Sequence, residues 1–294
     1  MNHSISESIT ELADIALAGV IERRAKLSRT SSPVAQSRSP TERRSPDRDQ
    51  EQVLAGSTSA WSRSPITKVA RTALQQSLLF PVTRFFGHPK VRGGHWLDGL
   101  AGPVIFAANH SSHADTAVIL YALPESWRKQ TVVAAATDYF YASTLVGDAV
   151  ALLMNTFPFS RTQAAIEVLN ESLGLLRDGW NLLVYPEGTR APEGRMGEFK
   201  RGVGFLAIEG RVPVVPIHLE GSSEVLPKGT WMPRPLVPIE VTFGRPLIAA
   251  RNERARQFTE RLQLEVMEIG QRRHSALPES WIERWRGGLR GDGK

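Results

Sequence analysis

The 294-residue chain contains no cysteine, which excludes a disulfide framework, a thiol nucleophile and a zinc–thiolate site together. The apolar stretch that begins at Ile66 is also short. Only 12 uncharged residues separate Arg71 from Arg84, fewer than the ~20 that a hydrocarbon core requires. Met1 to Val20 has no basic segment ahead of an apolar one, so a cytoplasmic protein is the expectation. No Gly-x-Ser-x-Gly elbow surrounds Ser111 or Ser112, which argues against a serine nucleophile there. There is neither a base-stacking motif nor a helix-turn-helix pattern, and no nucleic-acid partner is expected.

What is present is an ordinary globular composition, 41% apolar and 7% aromatic, with a net charge of +6. The excess is uneven. Residues 66–135 hold seven basic against three acidic side chains, and residues 244–294 hold 11 against seven. The stretch between them is mildly acidic, with nine against 12. Basic flanks attract anionic polymers or anionic lipid, and amphipathic stretches within them favour lipid.

Four segments follow from patterning. Residues 1–65 read as a mostly disordered extension: Ile5, Ile9, Leu12 and Ile15 suit one amphipathic helix over about 4–26. A Ser/Pro/Arg-rich linker then has too little apolar surface to offset its chain entropy. Residues 66–90 read as an amphipathic membrane-interface helix, with Ile66, Val69, Ala73, Leu74 and Leu78 at helical spacing among Lys68, Arg71 and Arg84. A core-facing helix is the plain alternative. Residues 91–272 alternate strands (104–108, 131–136, 181–185, 214–219, 239–243) with helices (114–122, 163–177, 202–209, 254–271). That order predicts an α/β fold, a mixed and mostly parallel sheet flanked by helices. Residues 139–160 read as one buried or membrane-dipping helix. Residues 273–294 form a basic, aromatic tail with Trp281, Ile282 and Trp285 beside Arg284 and Arg286.

Two constellations carry chemistry. Asn109-His110-Ser111-Ser112-His113-Ala114-Asp115 follows an apolar strand directly. Five residues apart, His110 and Asp115 would face different ways on one helix. They act together only if His110 lies in the turn and Asp115 in the first helical turn. Asp115 then holds the imidazole tautomer while the other ring nitrogen takes a proton from an alcohol. The His110, His113, Asp115 spacing also suits a metal, but no further ligand cluster accompanies it, and a purely structural turn is the remaining alternative. Tyr185-Pro186-Glu187-Gly188-Thr189-Arg190 likewise ends a strand. Arg190 suits a phosphate, and Glu187 suits substrate hydroxyls; a structural Glu–Arg pair is the competing reading. Phe157-Pro158-Phe159-Ser160-Arg161, Val212-Pro213-Val214-Val215-Pro216-Ile217 and the Lys200-Arg201 pair are weaker signals alone.

In this order, the segments resemble the four blocks of the glycerolipid acyltransferase family, which includes 1-acylglycerol-3-phosphate acyltransferases. The resemblance covers roughly residues 75–250. It implies that His110 is the general base, oriented by Asp115, for direct attack of a lipid hydroxyl on an acyl thioester. Arg161, Glu187, Gly188, Thr189, Arg190, Lys200 and Arg201 would bind the acceptor, and Pro213 and Pro216 would shape the acyl or donor groove. It implies no metal or bound cofactor, with acyl-CoA or acyl-carrier protein as co-substrate. It also implies a lysophospholipid acceptor and an anionic membrane surface as partners, and a peripheral or monotopic place on the cytoplasmic side of the membrane. The open alternatives are the same chemistry on another acceptor and a non-catalytic lipid-binding module. Tyr185 stands where the family more often has Phe.

Overall fold

The computed structural model describes residues 63–136, 144–159, 165–190, 196–225 and 233–276. The helix expected at 4–26, most of the linker after it, the tail beyond 276 and Arg161 lie outside the described residues.

Ser64 starts the first helix. Its Oγ accepts the Thr67 N–H at 3.3 Å, and Pro65 occupies the first turn, where a missing N–H costs nothing. This helix, α1 (Pro65–Leu74), continues through a widened turn (Gln75–Leu79) into α2 (Phe80–Gly87), giving one helical arm. Then come β1 (Lys90–Arg92), β2 (Ile105–Ala108), α3 (Asp115–Ala122), α4 (Glu125–Lys129) and β3 (Thr131–Ala136). They are followed by α5 (Thr144–Met154), β4 (Thr156–Phe159), α6 (Ala165–Arg177), β5 (Asn181–Val184) and α7 (Gly202–Gly210). β6 (Val214–Glu220), α8 (Ser222–Val225), β7 (Glu240–Phe243) and α9 (Ala255–Ala276) complete the chain.

The strands form one sheet in the order β1-β7-β6-β2-β5-β3-β4. Every neighbouring pair is parallel except β6 with β7. A parallel sheet must be covered on both faces, and alternate residues divide accordingly. Phe106, Leu183, Val215 and Ile217 pack with Val118, Ile119 and Leu120 of α3. Ile105, Leu182 and Val214 pack with Leu173, Val203, Leu206, Phe258 and Leu262 of α6, α7 and α9. The α/β, mostly parallel architecture read from the sequence is therefore the one observed.

Two local expectations differ. Residues 139–160 are not one helix: α5 stops at Met154, Asn155 adopts a left-handed backbone (φ 54°), and β4 begins at Thr156. Asn155 Nδ2 donates to Thr131 O at 2.7 Å, pinning the break to β3. β4 carries Pro158 and pairs with β3 alone, at the sheet edge where a missing N–H is tolerated. β1 gave no signal because its three exposed residues, Lys90-Val91-Arg92, are too few to establish an alternation.

The arm is amphipathic, as its spacing predicts, but its polar side faces the body. Thr67, Arg71, Gln75 and Thr83 are buried. Arg71 Nε donates to Leu152 O at 2.6 Å and Gln75 Nε2 to Leu153 O at 2.7 Å. These satisfy carbonyls left open at the end of α5, where a cation also suits the helix dipole. Burial lowers the Arg71 guanidinium to about 10, still charged at neutral pH. Ile66, Val69, Leu78, Val82 and Phe85 face outward, Val69 at 72% and Phe85 at 57% exposure. Among the described residues, no helix is long and apolar enough to cross a membrane.

Candidate active site

β2 and β5 are adjacent and parallel, with Ala107 opposite Val184. Asn109–Asp115 and Tyr185–Arg190 therefore leave the same sheet edge side by side, at the carboxyl ends of strands, where α/β folds build their sites. Asn109 extends β2 by side chain: its Nδ2 donates to Leu219 O at 3.0 Å and its Oδ1 accepts Leu219 N–H at 2.7 Å. This fixes the position from which His110 departs.

His110 sits in the turn and Asp115 opens α3, the arrangement that the spacing required. His110 Nδ1 lies 2.8 Å from Asp115 Oδ2. The same oxygen accepts the N–H groups of Ser111 at 2.7 Å and Ser112 at 2.9 Å. Asp115 is wholly buried, with its Oδ1 unpartnered among the described residues. Its charge is held by those N–H donors and by the N-terminal end of α3. The imidazole is 21% exposed. With Nδ1 committed to Asp115, Nε2 remains for a ligand. Ser111 Oγ pairs with Ser222 Oγ at 2.9 Å, an arrangement that includes no base for a serine nucleophile.

The ring of Tyr185 stacks on that of His110, with centroids 4.1 Å apart and planes at 22°. Tyr185 Oη pairs with Thr116 Oγ1 at 2.9 Å, and burial keeps the phenol well above its ordinary pKa, so it stays neutral. The sequence shows Tyr185 only as a residue standing where the family more often has Phe and does not reveal this contact. A stacking partner ending the strand beside the His turn was the signal available.

Glu187 is 6% exposed. Its Oε1 accepts the His110 N–H and its Oε2 the Gly197 N–H, both at 2.7 Å. Burial raises its pKa, and these two N–H groups oppose the rise. Both oxygens are thus bonded to backbone, which departs from the expected role as acceptor of substrate hydroxyl bonds. Gly188 has φ +72°, and a Cβ there would meet Lys200 Nζ, so glycine lets the lysine side chain lie across the turn. Lys200 N–H in turn donates to Pro186 O at 2.9 Å. Burial, with Arg190 and His110 close by, lowers His113 to about 4. His110, Asp115, Glu187, Gly188, Arg190 and Lys200 are therefore gathered at one edge. Thr189 is exposed in the same turn, and Arg201 is exposed at the start of α7.

Pro213 and Pro216 lie elsewhere. Pro213 precedes β6 and accepts Ile105 N–H at the beginning of β2. That is the opposite end of the strand, ~20 Å of extended chain from Leu219. Pro216 is buried within β6, opposite Ala107 and against Gly244. Both belong to the sheet and its packing and not to a groove at the site. A cleft of about 360 Å³ lies behind the His turn, bounded by Asn109, Ser111, His218, Glu220 and Met267 but not by His110 itself.

A mostly parallel α/β sheet thus carries an Asp-held imidazole at its carboxyl edge, with Arg190 and Lys200 nearby. Residues 88–220, just under half of the chain, match the family model described as Acyltransferase. The chain is 31% identical over 130 residues to the chloroplastic 1-acyl-sn-glycerol-3-phosphate acyltransferase BAT2 of Brassica napus, covering 44% of this chain and 36% of that one. It is 35% identical over 106 residues to the 1-acyl-sn-glycerol-3-phosphate acyltransferase of Pseudomonas aeruginosa (33% and 40% covered). It is 32% identical over 141 residues to 1-acyl-sn-glycerol-3-phosphate acyltransferase alpha of Mus musculus (47% of each). The chain thus spans less than half the length of each of these relatives. The crystal structure of the LPA acyltransferase PlsC from Thermotoga maritima shares the fold, with a TM-score of 0.51 at 19% identity over 75% of this chain and 96% of that one.

Proposed function

We propose that the protein transfers a fatty acyl group from a thioester, acyl-CoA or acyl-carrier protein, to the free hydroxyl of 1-acylglycerol 3-phosphate, giving phosphatidate. The observation that carries this is the 2.8 Å His110–Asp115 contact, placed beside Lys200 and Arg190. His110 Nε2 takes the hydroxyl proton as the acceptor oxygen attacks the thioester carbonyl. The tetrahedral intermediate collapses, the C–S bond breaks, and the thiolate leaves as free thiol with the proton from His110. Asp115 stabilises the imidazolium in between. No acyl-enzyme forms, and the scheme needs no metal or bound cofactor. The acceptor phosphate is held by Arg190 and Lys200, a bidentate guanidinium and a point charge, with Arg161 and Arg201 as further candidates.

The site works at a membrane surface in this reading. The outward row Ile66, Val69, Leu78, Val82 and Phe85, with the exposed Arg84 among it, suits an arm lying in the headgroup zone of anionic lipid. The enzyme would then be peripheral or monotopic on the cytoplasmic face. The test is thiol release from acyl-CoA by purified protein with vesicles, with and without lysophosphatidate, wild type beside His110→Ala. Release should rise many-fold with the acceptor, and the acceptor-dependent part should fall by about 10²–10⁴-fold in the variant. Wild-type rates in a folded His110→Ala protein would overturn the mechanism. Release with a different lysophospholipid only would move the acceptor and leave the chemistry.

A further inference from the structure

We infer that Glu187 is a positioning residue, which fastens the backbone of the base-bearing turn to the cation-bearing loop, and not a ligand for the acceptor. The inference rests on the acyl-transfer reading above. Each carboxylate oxygen takes one backbone N–H at 2.7 Å, from His110 on one side and Gly197 on the other. The side chain is only 6% exposed, so it has little surface left to offer a substrate hydroxyl.

The surroundings fit a fastening. Gly197 approaches so closely that a Cβ there would stand 3.0 Å from Glu187 Oε2. The loop is held again from α9, where Gln263 Oε1 accepts the Phe199 N–H at 3.0 Å and Gln263 Nε2 donates to Gly197 O at 3.4 Å. Pro186 O accepts Lys200 N–H beside it. The chain of bonds therefore runs from α9 through residues 197–200 and Glu187 to the backbone of His110. Lys200, which suits the acceptor phosphate, and His110, which suits the acceptor hydroxyl, are set at a fixed separation by one carboxylate. A carboxylate is the side chain for this, because it has two oxygens and only acceptors. Glutamine presents an NH₂ to one of the two N–H groups and loses that bond.

A displaced base costs rate and not affinity, since small errors in reacting geometry reduce turnover up to ~10²-fold. Glu187→Gln should lower kcat by roughly 10–100-fold while the KM for lysophosphatidate stays within about threefold. Slow hydrolysis of acyl-CoA by water, which the same base is expected to support without an acceptor, should fall in parallel. Gly197→Ala, which presses on Oε2 from outside, should show the same pattern at a few-fold and serves if Glu187→Gln melts early. A raised KM with unchanged kcat and unchanged hydrolysis would make Glu187 an acceptor ligand and overturn the inference. A wild type that neither transfers nor hydrolyses would sink the acyl-transfer reading instead. The fastening is then judged by NMR exchange of the His110 and Gly197 amide protons. Slow exchange in wild type and fast exchange in Glu187→Gln upholds it, and equal rates reject it.

Discussion

In the sheet, Phe106, Leu183 and Ile217 point inward and are wholly covered, whereas in the arm Thr67, Arg71, Gln75 and Thr83 are covered along with Leu79 and Phe80, and Val69 and Phe85 look outward. The two regions meet the body of the protein by different physics. The sheet is held by removal of apolar area from water, a large and non-directional term. The arm combines hydrogen bonds from Arg71 and Gln75 to the end of α5, each a modest net contribution of ~1 kcal/mol, with the burial of Leu79 and Phe80, each worth roughly 1.5–3 kcal/mol. About half or more of its outward apolar row stays in water after folding, with Val69 at 72% and Phe85 at 57% exposure. In the proposed function, that unused free energy is what a lipid surface supplies.

The comparison breaks most readily in the sheet. Phe106→Ala should lower unfolding stability by ~3–5 kcal/mol in urea titration; a loss below about 1 kcal/mol would mean the core around β2 collapses easily, and the contrast would fail. Next comes the arm. Val82→Ser with Phe85→Ser should weaken binding to anionic vesicles by about tenfold or more, with unfolding stability changed by no more than ~0.5 kcal/mol. If the same pair destabilises the free protein as Phe106→Ala does, the outward row is packed after all.

A third effect concerns pH and separates the site from both regions. His113 is lowered to about 4 in the folded protein, by burial first and then by Arg190 and His110, from an ordinary value of 6.5. As pH falls, the unfolded chain binds this proton first. The stabilising contribution is therefore complete above about pH 6.5 and is lost between there and about pH 4. His113→Asn should flatten that part of the stability profile, measured as melting temperature against pH. Identical slopes for wild type and variant would exclude His113 as the source.

The strand–helix alternation and the His110–Asp115 pair were legible because each is a short-range pattern. Periodicity announces a strand or helix within a few residues, and a five-residue spacing restricts where two side chains can meet. What was not legible depends on contacts distant in sequence. The Glu187 oxygens are taken by N–H groups 77 and 10 residues away, and nothing in Pro-Glu-Gly-Thr-Arg shows that. The Val-Pro-x-x-Pro segment was placed at the site because it belongs to a family pattern. The parallel register of β6 with β2 puts its start at the far edge. Residues 139–160 misled because an apolar run reads alike as buried helix or buried strand, and only the left-handed Asn155 separates α5 from β4. The arm's spacing foretold its amphipathicity but not which side turns inward, since that is set by two open carbonyls on another helix.

The widened turn at Gln75–Leu79, where Phe80 N–H reaches back to Gln75 O, acts as a correction of phase. Thr67, Arg71, Gln75, Leu79, Thr83 and Gly87 all face the body, a row repeating every fourth residue. An α-helix advances ~100° per residue, so such a row slips by ~40° at each step and by ~200° over its length. A uniform helix would thus carry Gly87 round to the opposite side from Thr67. One slower turn near the midpoint takes up part of that slip. It also swings Leu78, Val82 and Phe85 back toward the azimuth of Ile66 and Val69, so the two halves of the arm present one flat side.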